Sequence, residues 1–297
     1  MPTAALILVT AVWGVTFVQV KDAVALYPFL AFLAVRYLIA TASLTPVALL
    51  RLRSLGRDGL VAGSVLGALI ALGIGLQTAG LERTTVTSTG FITGLYVLFT
   101  PLLGLVLFRT PIPRELWLAV GLALAGLALL SGVPEGSATG DLLVLASAVA
   151  QALQIVMVER YANRFDAFAL TWVEVAVAAA VFFVIAGAAG DLSVPRGSTV
   201  WAALLVTGLF AVAFAYLVQI WAQRRVSATR IAVIFSLETV FAGFFGYLLA
   251  GDRLGPVGLV GCGLIFAGIL IAEPAAAATL RRLVRRPAPA PAARPPG

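Results

Sequence analysis

The segment Gln77–Ser131 lies without a gap over Gln219–Glu273, so that QTAGLERTTVTSTGFITGLYVLFTPLLGLVL faces QIWAQRRVSATRIAVIFSLETVFAGFFGYLL. Upstream, PFLAFLAVRYLIA (Pro28–Ala40) lies over DAFALTWVEVAVA (Asp166–Ala178) at a slightly shorter offset. Self-similarity over this distance predicts two copies of one structural unit. The copies are expected at residues 1–133 and 140–274, joined near Val133–Gly140, with a tail at 275–297.

The unit is a bundle of apolar helices. Hydrophobic residues make up 61% of the chain and charged ones 11%, against roughly 25% charged in soluble domains. A transmembrane helix needs ~20 apolar residues to cross ~30 Å of hydrocarbon. Such runs are expected at Thr3–Val20, Phe29–Leu50, Leu60–Leu81, Val86–Phe108 and Leu116–Gly132 in the first half. In the second they fall at Leu142–Val158, Phe168–Ala189, Val200–Gln223, Ile231–Ala250 and Val257–Glu273. No barrel-strand alternation is present, and an open sheet cannot satisfy its backbone in lipid. The expected fold is an all-α membrane protein of ten transmembrane helices, and the first run, without a basic leader, is a retained span.

Arginine and lysine set the orientation. With the N-terminus inside, the inner loops and the tail receive Arg51, Arg53, Arg57, Arg109, Arg114, Arg160, Arg164, Arg224, Arg225, Arg230 and the tail arginines. The outer side receives Lys21, Arg83, Arg196 and Arg253. That bias predicts both termini in the cytoplasm and a bacterial-type inner membrane. Five spans per half is an odd number, so the halves are two inverted five-helix repeats. The formal charge of +7 thus reflects topology, and no nucleic-acid partner is expected. The tail, rich in Pro, Ala and Arg, is expected to be disordered. The pairs Gly63/Gly67, Gly90/Gly94, Gly121/Ala125 and Gly243/Gly246 are expected to pack helices closely.

Polar side chains inside spans usually face the bundle interior. Placed by the repeat, Trp13 and Thr16 match Gln151 and Gln154, Gln77 matches Gln219, and Tyr96 matches Glu238. Tyr216, three residues before Gln219, shares its face. Together with Phe17 these are the candidate substrate-binding residues, converging near the pseudo-two-fold axis. Glu238 stands about 10 Å into its helix, where it receives a substrate ammonium or a proton. The alternative for the glutamines is interhelical glue, worth about 0.6–2 kcal/mol each. Arg36 and Glu174, repeat-equivalent and opposite in charge, are expected to pair structurally. Lys21 and Glu159, also equivalent, are expected as anchors or gate residues.

AVWGVTFVQVK in the first helix, Pro28 and Arg36 in the second, SLETVFAGFFGYLLAGDRLGP around the ninth and GLVGCGLIFAGILI in the tenth resemble the drug/metabolite transporter superfamily, in its EamA-type ten-helix branch. Two features depart from the pattern: Thr239 stands where proline is frequent, and FRTPI replaces an acidic end of the fourth helix. The resemblance implies an exporter of small metabolites, its cavity lined mainly by helices one, three, four, six, eight and nine.

The expected activity is export of small metabolites, most of all amino acids and in particular aromatic ones, by alternating access. A multidrug or other metabolite exporter is the alternative. With no histidine, no Gly-x-Ser-x-Gly elbow and no P-loop, neither an embedded enzyme nor direct ATP hydrolysis is expected, and no cofactor or metal. The single cysteine, Cys262, leaves no disulfide. The expected partners are a small-molecule substrate and the lipid bilayer, with the chain a monomer or weak dimer.

Overall fold

The structure, a computed structural model, describes residues 2–84, 86–131, 137–245 and 255–272, and these form helices and short connections without a strand. The tail at 275–297, Asp252, Arg253, Gly246 and the ends of the fifth, ninth and tenth expected spans lie outside the described residues, as do the side chains of Phe17 and Lys21 and the packing of Gly243.

Three uninterrupted helices come first: α1 (Pro2–Val24), α2 (Phe29–Ala48) and α3 (Gly56–Leu81). A rod interrupted at Leu95 follows, made of α4 (Val86–Gly94) and α5 (Tyr96–Phe108). Next are α6 (Arg114–Ser131), α7 (Ala138–Tyr161) and α8 (Ala167–Ala189). The stretch Ser198–Gln223 consists of α9 (Ser198–Val206), a π-helical segment (Thr207–Phe214) and α10 (Ala215–Gln223). α11 (Ala228–Phe235) and α12 (Leu237–Phe245) are separated at Ser236, and α13 (Pro256–Ala272) ends the described chain.

Local chemistry sets several of these ends. Asp166 caps α8 by accepting the Ala169 amide at 3.1 Å, and Gly190 closes the same helix in the left-handed conformation, φ 75°. Arg109 closes α5 at φ 52°, unusual for a residue with a side chain, and Thr110, Pro111, Ile112 and Pro113 then prevent the helix from continuing.

Six helices among the described residues are long and apolar enough to cross a membrane: Phe29–Ala48, Gly56–Leu81, Thr89–Phe108, Ala138–Tyr161, Ala167–Ala189 and Ser198–Gln223. Large apolar side chains such as Leu38, Leu72, Val106, Val184, Phe266 and Leu270 are exposed on the outside of the bundle. In water such a surface is an interaction or aggregation site, whereas in hydrocarbon it is at no disadvantage.

The helices pack in pairs whose directions the contacts fix. On α2 and α8, Trp172 donates to Thr45 and Tyr37 meets Phe182, so the two run antiparallel. α6 and α13 are also antiparallel: a Cβ on Gly126 would stand 2.5 Å from the Gly261 carbonyl oxygen, and one on Gly268 2.8 Å from that of Ala119. α3 runs antiparallel to α7, with Gly80 against Val144 and Gly73 against Gln151, and parallel to α8, with Gly63 against Val173 and Gly67 against Val177. Of the expected glycine seams, Gly63/Gly67 and Gly94 are close-packed. Gly90 and Gly121 face open space, and the tight contact on α6 falls to Gly126 instead.

Connections at one end of the bundle are tied together. Arg51 pairs with Asp166 at 3.0 Å, and Arg224 donates to the carbonyls of Ala162 and Phe165. These link the α2–α3, α7–α8 and α10–α11 connections into one arginine-rich face. At the opposite end Tyr27 donates to the Ser193 carbonyl at 2.6 Å, joining the α1–α2 and α8–α9 connections.

Candidate functional site

Two adjoining cavities lie inside the bundle and share Trp13, Ile74, Gln151, Tyr216 and Glu238 in their walls. The wider one, about 90 Å³, extends along α1 past Thr16 to Val20 and along α3 past Gln77 to Leu81; Arg36 and Tyr37 bound it from α2. The narrower one, about 30 Å³, reaches Tyr96, Gln154, Gln219 and Phe235. A single water requires roughly 10–15 Å³, so the wider cavity has room for several. Its extension to Val20 and Leu81 leads away from the arginine-rich face, since α1 and α3 end near the opposite connections.

Trp13 is held in place at both ends. Its indole Nε1 donates to the Ala211 carbonyl at 2.8 Å, inside the π-helical segment, and its ring meets Phe235 edge-on at 4.8 Å. The Tyr216 ring is tilted beside it at 6.4 Å, and the Tyr216 hydroxyl lies 3.5 Å from that of Tyr37. Tyr96 is buried on α5, one residue beyond the break at Leu95. Glu238 occupies the first turn of α12, two residues beyond the other break, at Ser236. Interrupted helices at cavity depth free polar backbone groups where a cavity or protein can receive them.

The amides divide into two kinds. Gln77 donates to Thr93 at 3.0 Å and Gln151 to Ser147 at 2.8 Å, and both line the wider cavity. Gln154 and Gln219 belong to a continuous chain of bonds: Gln154 donates to Glu174 at 2.7 Å, and Gln219 to Gln154 at 3.0 Å and Gln223 at 3.1 Å. Gln223 closes it on the Ile155 carbonyl at 2.7 Å. Thr16 donates to the carbonyl of Trp13 in its own helix.

The expected Arg36–Glu174 pair is not formed. Because α2 and α8 are antiparallel with Tyr37 opposite Phe182, position 36 lies roughly 12 Å along the axis from position 174. Glu174 is fully buried and takes its bond from Gln154, with its second oxygen unpartnered. Arg36 makes no ion pair or hydrogen bond among the described residues; its Nε is buried without a partner, and its charge faces Tyr37, Tyr216 and Glu238. A cation inside the apolar bundle without a carboxylate in contact is costly, which marks functional positions in membrane proteins.

Sequence reasoning gave Arg36 a structural pairing instead of a place in the cavity wall, and passed over Tyr37 and Gln223. Arg36 carried a usable signal, a charge seven residues into an apolar run, and Gln223 stands one turn beyond Gln219 on the same helix.

The chain is matched by the model of the EamA-like transporter family over residues 2–132 and again over 138–272. An uncharacterized transporter of Archaeoglobus fulgidus is 33% identical over 270 residues, covering 90% of this chain and 83% of that protein. One solved crystal structure superposes with a TM-score of 0.76 over 95% of this chain and 98% of its own; at 18% identity it shows a shared fold. Two family matches that together span the helical chain, and a relative one-third identical, establish that this multi-pass membrane protein belongs to the EamA-like transporter family.

Proposed function

We propose that the protein exports zwitterionic amino acids, aromatic ones above all, by alternating access between two inverted five-helix repeats. The observation that carries this reading is the pair of opposite charges in the wider cavity, Arg36 from one half and Glu238 from the other, with no ion pair between them. An α-amino acid presents a carboxylate to the guanidinium and an ammonium to the carboxylate, and neutralises both poles at once. The rings of Trp13, Tyr216 and Tyr96 supply an apolar wall and π faces for the side chain.

The repeat arrangement is supported by packing. The equivalent helices α2 and α8 pair with each other, as do α6 and α13, and each pair is antiparallel, the relation an in-plane pseudo-two-fold axis requires. The contact of α1 with α12 has its counterpart in that of α7 with α5. Ten spans follow when each interrupted rod is counted once. The arginine-rich face is cytoplasmic on the positive-inside rule.

Counterflow into proteoliposomes tests the reading. Labelled phenylalanine is expected to exchange, while phenethylamine, which lacks the carboxylate, and phenylpropionate, which lacks the ammonium, compete weakly. Transport of organic cations with no response to amino acids overturns it in favour of a multidrug carrier.

A further inference from the structure

A third cavity, about 300 Å³, lies outside the site just described, at the arginine-rich face between α5, α6, α7 and α11. It is built from the residues that end those helices. The rim is the segment Thr110–Pro113, which follows Arg109 in its left-handed conformation, the place where the sequence departs from the family pattern with FRTPI. Glu159 enters from α7 and lies on the same cavity as Ala228, at the start of α11. Arg225 and Arg230 enter from either side of that helix start.

Several of its polar groups lack partners. The Ser227 hydroxyl oxygen and Arg230 Nε are buried without a hydrogen bond. Thr229, 7% exposed, lines the same space. The first hydrogen bond within α11 runs from the Ile231 amide to the Ser227 carbonyl, so the amides of Thr229 and Arg230 precede it and add the favourable end of a helix dipole. No ion pair joins Glu159 to Arg225 or Arg230 among the described residues. The cavity therefore combines an anion-receiving side with a separate carboxylate, the same two-pole chemistry as Arg36 and Glu238.

Its position is aligned with the central cavities. Tyr96 and Thr100, Ile155 and Glu159, and Phe235 and Arg230 are each about one turn apart on α5, α7 and α11, the first of each pair on a central cavity and the second on this one. The turn between them belongs to the apolar core, with Val97, Val156, Ile231 and Ile234 at most 2% exposed.

We propose that this cavity is a loading site that binds the free zwitterionic amino acid before it reaches the central cavity, with Arg230, Ser227 and Thr229 holding the carboxylate and Glu159 the ammonium. The proposal rests on the amino-acid reading above, and its test is separable from flux. A reporter cysteine on the rim, Thr110→Cys in a Cys262→Ala background, is labelled by a water-soluble thiosulfonate in the full chain, in discs lacking phosphatidylethanolamine. Phenylalanine is expected to slow labelling about tenfold at ten times its dissociation constant. Phenethylamine and phenylpropionate are expected to protect far less. Arg230→Gln and Glu159→Gln are expected to abolish protection, Arg230→Lys to restore part of it, and Glu238→Gln to leave it in place. Absence of protection by phenylalanine, or protection indifferent to both Arg230→Gln and Glu159→Gln, overturns the proposal. Slowing produced by phosphatidylethanolamine without added amino acid also overturns it, since the occupant is then a lipid headgroup. Protection that persists in protein with no amino-acid counterflow supports the site and removes the carrier reading instead.

Discussion

Two groups of polar side chains lie within a few turns of one another in this apolar bundle, and they are wired differently. Glu174, Gln154, Gln219 and Gln223 form an unbroken run of hydrogen bonds that ends on a backbone carbonyl. Arg36 and Glu238 line the wider cavity with no ion pair among the described residues. A linked network in a low-dielectric interior holds helices in register, because removing any member strands its neighbours. An unsatisfied charge beside a cavity costs stability, and a ligand of opposite charge offsets that cost. Mutual hydrogen bonding thus separates a group that ties helices together from a charged pair left open to the wider cavity.

The sharpest way to break this contrast is Arg36→Gln. Losing one member of a buried charge contact costs about 2–5 kcal/mol, so kcat/KM for phenylalanine exchange should fall about 30-fold or more while the folded yield holds. Wild-type kinetics in this variant would place Arg36 with the structural residues. Glu238→Gln is expected to lower the same quantity by about tenfold or more, with charge-assisted hydrogen bonds worth about 1.5–3 kcal/mol. Gln154→Leu should do the reverse. It strands a Glu174 oxygen, and stability in detergent should drop by about 1–3 kcal/mol with little change in KM. A large KM effect at unchanged thermal midpoint would move Gln154 into the binding wall. A double-mutant cycle on Gln154 and Gln219 should give a coupling of about 0.6–1.7 kcal/mol. Trp13→Phe, which keeps the ring and loses only the bond to Ala211, is expected to cost about 0.5–1.5 kcal/mol, read as a shift in thermal midpoint.

The helices were legible because lipid admits so few solutions: apolar runs of sufficient length mark them, and the internal sequence match proposes equivalences between the two halves. The same equivalences led to Trp13, Gln77, Gln151, Tyr96, Tyr216 and Glu238, all of which line the central cavities. They misled at Arg36 and Glu174. Equivalent positions on antiparallel helices meet only near the crossing point, and these two lie on opposite sides of it. The division of the glutamines into the linked run of Gln154, Gln219 and Gln223 and the separately bonded Gln77 and Gln151 was not legible, because it depends on the rotation of α7 against α10. The break at Ser236 has no adjacent glycine or proline to announce it, whereas Gly94 directly precedes the one at Leu95.

The π-helical segment at Thr207–Phe214 has a further consequence. A wider coil stores surplus residues inside a rod, and Tyr216 and Gln219 are aimed by whatever that coil stores. Letting the segment rewind as an ordinary α-helix with no residue removed would release that surplus and swing everything downstream by about 100° around the axis for each stored residue. The cavity-facing side of α10 is therefore indexed by local backbone winding rather than by its own sequence, and a change of winding in that short stretch would re-aim it without altering any residue that lines the cavities.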